Sequence, residues 1–272
     1  VLAGVTKLGK HLEATYDLAA AVLKLDSLFN LPVEAPTGTY FGVAHGGVSL
    51  AAHGLTLTRD GDPSPLLQNA SFSLRPGEKA VIWGPNAAGK SLLADVIFRS
   101  AEAYAGRVEV DGHPVSTIHP RELRSEVALV RGVELFTGTV QANLLLGGEA
   151  SPGAVLRTLS LVGLADHVHS LSEGLATSIT NASHPFSAGQ ARRLMVARAL
   201  LARPRLLVID GTLDAMDHES QAQMLDVLRT DVPELTVLVL THERSLARSL
   251  PRTFEIRDRM LVEVEGGRRD TE

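Results

Sequence analysis

The chain carries the stretch Gly84-Pro85-Asn86-Ala87-Ala88-Gly89-Lys90-Ser91 directly after the apolar run Ala80-Val81-Ile82-Trp83 and directly before a helical pattern. It matches the phosphate-loop pattern G-x-x-x-x-G-K-S/T in the setting that this loop requires, between a strand and a helix. The two glycines allow backbone angles and close approaches that side chains forbid, and the loop amides form a nest for an anion. Lys90 is expected to bridge the outer phosphates, and the Ser91 hydroxyl is expected to bind Mg²⁺. The stretch therefore predicts a site for the phosphates of a nucleotide.

Composition excludes several other classes of protein. The 272 residues contain 44 % hydrophobic residues, enough for a full core, and no cysteine, which rules out disulfides, metal thiolates and a cysteine nucleophile. The formal net charge is −5, and basic residues never run longer than a pair, so we expect no nucleic-acid partner. An uninterrupted apolar run of 18 or more residues, as a membrane span needs, is missing.

The two ends of the chain differ from the middle. Leu18, Val22, Leu25 and Phe29 follow one another at spacings of four, three and four, which predicts a helix within residues 1–35. Prolines and glycines over residues 32–47 predict a boundary there. Since the chain begins at Val1 and not at a methionine, we interpret residues 1–47 as the helical remnant of a preceding domain with its linker. Residues 266–272 are predicted to be a polar tail.

Short β runs follow the linker. Val48–Leu50, Leu55–Thr58 and Ala70–Leu74 are predicted as strands, with a turn cluster over residues 60–65, and together they indicate an antiparallel subdomain over residues 48–75. Near the other end, residues 254–256 and 260–264 predict an edge hairpin.

Polar residues at the ends of two buried strands complete the pattern. Leu206-Leu207-Val208-Ile209-Asp210 reads as a parallel strand buried on both faces, with a carboxylate at its C-terminal edge that would hold Mg²⁺. The next such strand, residues 237–240, leads to His242, which is expected to contact a terminal phosphate. Between the phosphate loop and these strands, Ser187-Ala188-Gly189-Gln190 fits the capping box S-x-x-Q at the start of a helix.

In this order and at these spacings, the motifs closely resemble the nucleotide-binding domain of an ATP-binding-cassette (ABC) transporter. The resemblance covers about residues 48–265, and residues 135–144 are similar to the segment after the Q-loop in exporter-type members. It implies an α/β P-loop NTPase fold with a mainly parallel core sheet, an antiparallel β subdomain and a helical subdomain at about residues 115–190 that bears the signature motif. Residues 1–31 are then similar to the helix that connects a membrane domain to the ATPase.

The resemblance also implies roles for particular residues. Its nucleotide-binding set is Arg59, Gly84, Pro85, Asn86, Ala87, Ala88, Gly89, Lys90, Ser91 and Leu92, with Ser91 and Asp210 on Mg²⁺ and His242 as a catalytic residue. Its signature motif, which covers the partner's nucleotide, is Phe186, Ser187, Ala188, Gly189 and Gln190, and its D-loop ends at Asp217. The implied ligands are ATP and Mg²⁺. The implied partners are a second nucleotide-binding domain, in a homodimer or a heterodimer paired head to tail, and a membrane-spanning domain at the cytoplasmic face of the cell membrane.

Three positions depart from the family's pattern. Gly211 stands where a glutamate should orient the attacking water, Arg131 stands at the Q-loop glutamine, and Arg59 stands at the aromatic residue that stacks on adenine. Losing a positioned general base typically lowers a rate by about 10²–10⁴. Asp214 and Asp217 are nearby carboxylates, but both belong to the D-loop pattern and we do not expect them to replace the base. We therefore predict a degenerate half of a heterodimeric exporter that binds Mg-ATP and hydrolyses it slowly at its own phosphate loop.

Two other functions stay open at this point. The chain could be a fully active homodimeric transporter ATPase that uses another base, or a nucleotide-gated binding module in which hydrolysis never matters. Chromosome and DNA-repair ATPases share a similar signature, but they need a long coiled-coil insertion, and no heptad run interrupts residues 92–186.

Overall fold

The structure is a computed structural model that describes residues 15–26, 29, 37–40, 46–59, 61–180 and 185–264. The chain divides into two compact units, residues 1–36 and residues 37–272. In the first unit, residues 15–26 form helix α1 and Phe29 is helical. The helix predicted within residues 1–35 is present over this part, and its remainder lies outside the described residues, as does the predicted tail.

The second unit contains the strands and the other described helices. The strands are β1 (Leu50–Arg59), β2 (Asp62–Leu74), β3 (Lys79–Trp83), β4 (Ala105–Val110), β5 (His113–Pro114), β6 (Val127–Arg131), β7 (Gly138–Thr139), β8 (Ser178–Ile179), β9 (Leu206–Asp210), β10 (Thr236–Thr241), β11 (Arg252–Arg257) and β12 (Met260–Val264). The helices are α2 (Lys90–Ile97), α3 (Pro120–Glu126), α4 (Val140–Leu145), α5 (Pro152–Leu161), α6 (Ala165–Ser170), α7 (Ala188–Leu201) and α8 (His218–Asp226).

The central sheet has six strands in the order β12-β11-β3-β10-β9-β6. All neighbours pair in parallel except β11 and β12, which form the predicted antiparallel hairpin at the edge. Parallel strands end at the same edge of a sheet, where ligands of open α/β folds bind. The ends of β3, β6, β9 and β10 therefore bring the phosphate loop, Arg131, Asp210 and His242 to one place.

A four-stranded antiparallel sheet in the order β2-β1-β4-β5 forms the β subdomain, which extends beyond the predicted residues 48–75 to include β4 and β5. Two further details of the prediction were wrong. The run Leu55–Thr58 and the last residue of the run Val48–Leu50 belong to one strand, β1, which begins at Leu50, because a change of register after Ala52, next to Gly54 at φ +58°, keeps the strand paired. Most of the predicted turn over residues 60–65 lies in β2, which begins at Asp62; Pro65 is accommodated because β2 is an edge strand and needs no amide donor there.

Apolar residues fill both faces of the central sheet, because side chains alternate between the faces along each strand. One core packs the helices α4 to α8 against residues such as Ile209 and Val239, and the other packs α2 and the antiparallel sheet against residues such as Val208 and Leu240. This double burial explains the uninterrupted apolar runs of β9 and β10 in the sequence.

Helices α4, α5 and α6 lie between β6 and α7 in the chain. Within the range of about 115–190 predicted for the helical subdomain, residues 127–131 are a strand of the central sheet. Among the helices in the described part of the chain, none combines the length and the apolar character that crossing a bilayer requires.

Candidate nucleotide-binding site

The phosphate loop connects β3 to α2, in the setting predicted from the sequence. Gly89 caps α2 at φ +91°, a left-handed conformation that favours glycine, and a Cβ there would lie 3.1 Å from Leu66 Cβ. Gly84 packs against the hairpin strand β11, where a Cβ would lie 3.0 Å from Ile256 Cβ. Both glycines of the pattern therefore have a steric reason, and the first amides of α2 open toward the loop.

Lys90 lies at the start of α2 and is largely buried, at 9 % exposure. Its ammonium group donates to the backbone carbonyls of Gly84 at 2.8 Å and Pro85 at 2.7 Å, so the side chain folds back over the loop. Burial lowers the pKa of Lys90, and the charges of Asp214 and Asp210 oppose that shift. A phosphate would offer Lys90 charge-assisted hydrogen bonds, which are stronger than those to the carbonyls.

Arg131 and Asp210 end the neighbouring strands β6 and β9 in direct register. The Arg131 Nε donates to Asp210 Oδ2 at 2.7 Å, Nη1 donates to Asp95 Oδ1 at 2.9 Å, and Nη2 donates to the Ser91 carbonyl at 2.8 Å. Burial alone would lower the pKa of Arg131, but its bonds to the two carboxylates outweigh burial and raise it. The guanidinium therefore lies, fully charged, between Ser91 and Asp210, the two residues predicted to hold Mg²⁺.

His242 follows β10 and is held by Asp214. Asp214 Oδ2 accepts from His242 Nδ1 at 2.6 Å and from the His242 backbone amide at 3.0 Å, while Oδ1 accepts from Thr241 Oγ1 at 2.6 Å. The Asp214 side chain is only 4 % exposed. Because an ionised carboxylate only accepts hydrogen bonds, Nδ1 carries the proton and Nε2 is the ring nitrogen left to face a ligand.

Gly211 continues the chain beyond β9 at φ +64°, and its amide donates to the Leu240 carbonyl at 3.0 Å. No described heavy atom outside its neighbours lies within 4 Å of the point where a Cβ would be. The position therefore has room for a side chain, at the expense of a strained backbone.

These residues surround a cleft of about 740 Å³, a volume that suits a nucleotide. From the predicted set, it is lined by Arg59, Asn86, Ala87, Gly89, Lys90, Ser91, Leu92, Arg131, Asp210, Gly211 and His242. Pro85 and Ala88 line a neighbouring hollow beside the β11–β12 turn, and Gly84 lines neither. Arg59 thus lies in the same cleft as the phosphate loop, at the end of β1.

The signature segment lies outside this cleft, at the start of α7. The predicted capping box is confirmed: the Gln190 amide donates to Ser187 Oγ at 3.2 Å, and the Ser187 amide donates to Gln190 Oε1 at 2.8 Å. Phe186 is buried against His167, and a Cβ on Gly189 would lie 3.7 Å from Asp217 Oδ2. The signature and the D-loop are therefore neighbours on the same chain.

Asp217 caps α8. Its two carboxylate oxygens accept from the backbone amide and the hydroxyl of Ser220, each at 2.9 Å, and these hydrogen bonds lower the pKa of Asp217.

The sequence contained no local sign of two side-chain pairs, Arg131 with Asp210 and His242 with Asp214. Knowing that β6, β9 and β10 are adjacent would have indicated both pairs, because residues at the ends of neighbouring parallel strands lie close together.

Comparison with known proteins agrees with this geometry. The model of the family described as "ABC transporter" matches residues 67–213, just over half of the chain. The chain belongs to the ABC transporter family. The fold class predicted from the sequence is thereby confirmed, and the phosphate loop and β9 both lie inside the matched range.

Several relatives of this ABC transporter chain are described as ATP-dependent lipid A-core flippases. The chain is 32 % identical over 252 residues to one from Thiobacillus denitrificans, covering 92 % of this chain and 42 % of the relative. It is 32 % identical over 251 residues to one from Xylella fastidiosa, covering 91 % of this chain and 41 % of the relative. The chain thus spans about two fifths of the length of these relatives.

Among solved structures, a bacterial Atm1-family ABC exporter with ATP bound superposes with a TM-score of 0.79 at 23 % identity. The match covers 89 % of this ABC transporter chain and 43 % of that chain. At this identity the likeness shows a shared fold.

Proposed function

We propose that this chain is the ATP-binding domain of an exporter, operating at the cytoplasmic face of the cell membrane beside a membrane-spanning domain. The flippase relatives and the exporter structure support the exporter type, and the chain matches about two fifths of each. In this proposal ATP occupies the cleft of the phosphate loop, and a second nucleotide-binding domain pairs with this one head to tail.

Hydrolysis at this chain's own phosphate loop is proposed to be slow or absent. The observation that carries this proposal is Gly211 at the end of β9, where no side chain is available to orient an attacking water. A positioned general base must reach its proton within hydrogen-bond distance, directly or through one water.

The neighbouring carboxylates are poorly suited to replace it. Asp214 is buried and accepts from His242 and Thr241, and Asp217 is used to cap α8. Glu102 also lines the cleft, but it follows α2 in the chain. Because the eight residues of that helix extend about 12 Å from the phosphate loop, Glu102 lies too far away to act as the base. These contacts support the degenerate function over a homodimeric ATPase that uses another base.

The signature helix α7 is proposed to complete the partner's nucleotide site. Its capping box is intact, and the N-terminal end of a helix carries partial positive charge that favours the terminal phosphate of ATP. The chain would then contribute to one competent site, on the partner, while its own cleft holds ATP.

Mg²⁺ on Ser91 and Asp210 stays a prediction from the sequence. With Arg131 in place, these two residues do not form a fitting site for it, because the guanidinium bonds to Asp210 Oδ2 and, through its bond to the Ser91 carbonyl, holds its positive charge next to Ser91.

Phosphate release from ATP tests this proposal, measured in Mg²⁺ for the chain alone and for the chain with the other nucleotide-binding domain of its transporter. We expect little release by the chain alone and robust release by the pair. Rapid release by the chain alone, abolished by Lys90→Ala, would contradict the degenerate function and favour the homodimeric ATPase.

A nucleotide-gated binding module is the second candidate, and Gly211 is the observation that favours it. In that case ATP closes the dimer without being consumed. Dimer formation in ATP without phosphate release, even with the proper partner, would identify such a module.

A further inference from the structure

Arg131 holds a position at which the residues around it are arranged to bind a cation. It bonds to two carboxylates, on Asp95 of α2 and Asp210 of β9, and to the backbone carbonyl of Ser91. Oxygen ligands of these kinds are the ones that Mg²⁺ takes in proteins. In this structure these oxygen atoms bind the Arg131 guanidinium.

A divalent ion on the same carboxylate would compete with this arginine. Mg²⁺ lies about 2.1 Å from its oxygen ligands, and Nε lies 2.7 Å from Asp210 Oδ2, so the ion would lie within about 5 Å of the guanidinium. Two positive groups at that distance repel each other, and the Asp210 side chain is only 7 % exposed, which limits screening by water.

Arg131 also retains the means to bind phosphate. A guanidinium has five N–H donors, and the described contacts of Arg131 use three of them, one on each nitrogen. One N–H on Nη1 and one on Nη2 are left, and this pair suits the oxygens of a phosphate group. The side chain is 39 % exposed and lines the same cleft as Lys90.

We propose that the Arg131 guanidinium takes the place of the divalent metal, so that the cleft binds a nucleoside triphosphate without Mg²⁺. This inference rests on the proposed function only in that the cleft must bind ATP. Arg131 neutralises Asp210, which would otherwise repel the phosphates, and offers its two remaining N–H donors in the cleft that Lys90 also lines.

Equilibrium binding of ribose-labelled fluorescent ATP, followed by anisotropy, tests this in buffers with excess Mg²⁺ or excess EDTA. For the wild-type chain we expect dissociation constants that agree within about threefold in the two buffers. For Arg131→Gln we expect Mg²⁺ to tighten binding about tenfold or more. The variant lacks the charged group that donates to the phosphates, and the metal can take the place of that group. Arg229→Gln is the matched control, because Arg229 pairs with Asp226 outside the cleft, and it should behave as the wild type.

Each outcome of the binding experiment supports or contradicts the inference about Arg131. If the wild-type chain binds the nucleotide only with Mg²⁺, or if Arg131→Gln leaves the ratio between the two buffers unchanged, the inference is wrong while ATP binding stands. If the chain binds in neither buffer, the proposed function fails as well. Should Arg131→Gln not fold, electron paramagnetic resonance of Mn²⁺ with the wild-type chain and ATP decides: stoichiometric Mn²⁺ retained with the nucleotide would overturn the inference, and nucleotide retained without Mn²⁺ would support it.

Discussion

Replacing Gly211 by glutamate restores the side chain that the resemblance places after β9. The structure provides space, since no described heavy atom beyond the neighbouring residues lies within 4 Å of the added Cβ. If the missing carboxylate is what limits hydrolysis, Gly211→Glu should increase the rate of phosphate release.

The size of the increase follows from two opposing effects. A positioned general base contributes about 10²–10⁴ in rate. The backbone at Gly211 has φ +64°, and a left-handed conformation costs a residue with a Cβ about 1–2 kcal/mol. If the chain relieves that strain by misplacing the carboxylate, about one order of magnitude is lost, so we expect a gain of about 10- to 1000-fold.

Phosphate release should be measured at saturating ATP and Mg²⁺, together with the dissociation constant for ATP. Gly211→Gln is the matched control, because glutamine has the same length and the same backbone strain but cannot accept the proton. Its rate should stay at the wild-type level. Combining Gly211→Glu with Arg131→Gln should increase the rate further, since the Arg131 guanidinium would otherwise attract the new carboxylate.

Either of two results would refute the role of the Gly211 position in hydrolysis. If the glutamine variant gains as much as the glutamate variant, the effect comes from the backbone and not from a base. If the glutamate variant binds ATP normally and hydrolyses it no faster, even in combination with Arg131→Gln, Gly211 is not what limits turnover.

Three further predictions concern the cap of α7, the contact of Asp214 with His242 and the pairing of two domains. Ser187→Ala should lower the stability by about 1 kcal/mol and the melting temperature by about 2–4 °C, because the capping box of α7 loses its acceptor; an unchanged melting temperature would contradict this. Asp214→Asn should lower the free energy of unfolding in urea by about 1–3 kcal/mol, because the charge-assisted bond between the buried carboxylate and His242 is lost; Asp214→Glu, which keeps the charge on a longer side chain, should still lose more than half of that free energy. If the domains pair head to tail, a Gly211→Glu chain that also carries Ser187→Arg should release phosphate only after it is mixed with a Lys90→Ala chain; release by either chain alone would contradict that pairing.

Local features of this protein could be predicted from sequence because their physical causes lie within a few residues. Gly84, Gly89 and Lys90 specify a loop between a strand and a helix. Ser187 and Gln190 satisfy each other's backbone amides across three residues, and the structure contains that capping box as predicted. The buried runs of β9 and β10 were predictable because both faces of the central sheet are covered.

Predictions for β1 and β2 were less accurate, because strand pairing overrides local preference. Gly54 and Pro65 favour breaks in the chain, yet both lie in strands, where the pairing of β1 with β2 and β4 holds them.

The amino-acid sequence alone determined the phosphate loop, the capped start of α7 and the presence of a glycine at position 211, since each is a matter of residue identity or of neighbours along the chain. Only the tertiary structure decided that Arg131 bonds to Asp210 and that Asp214 holds His242. Those residues are 79 and 28 positions apart in the chain. They meet because β6, β9 and β10 are adjacent parallel strands that end at one edge, and side-chain contacts at such an edge depend on strand order, which no local pattern specifies.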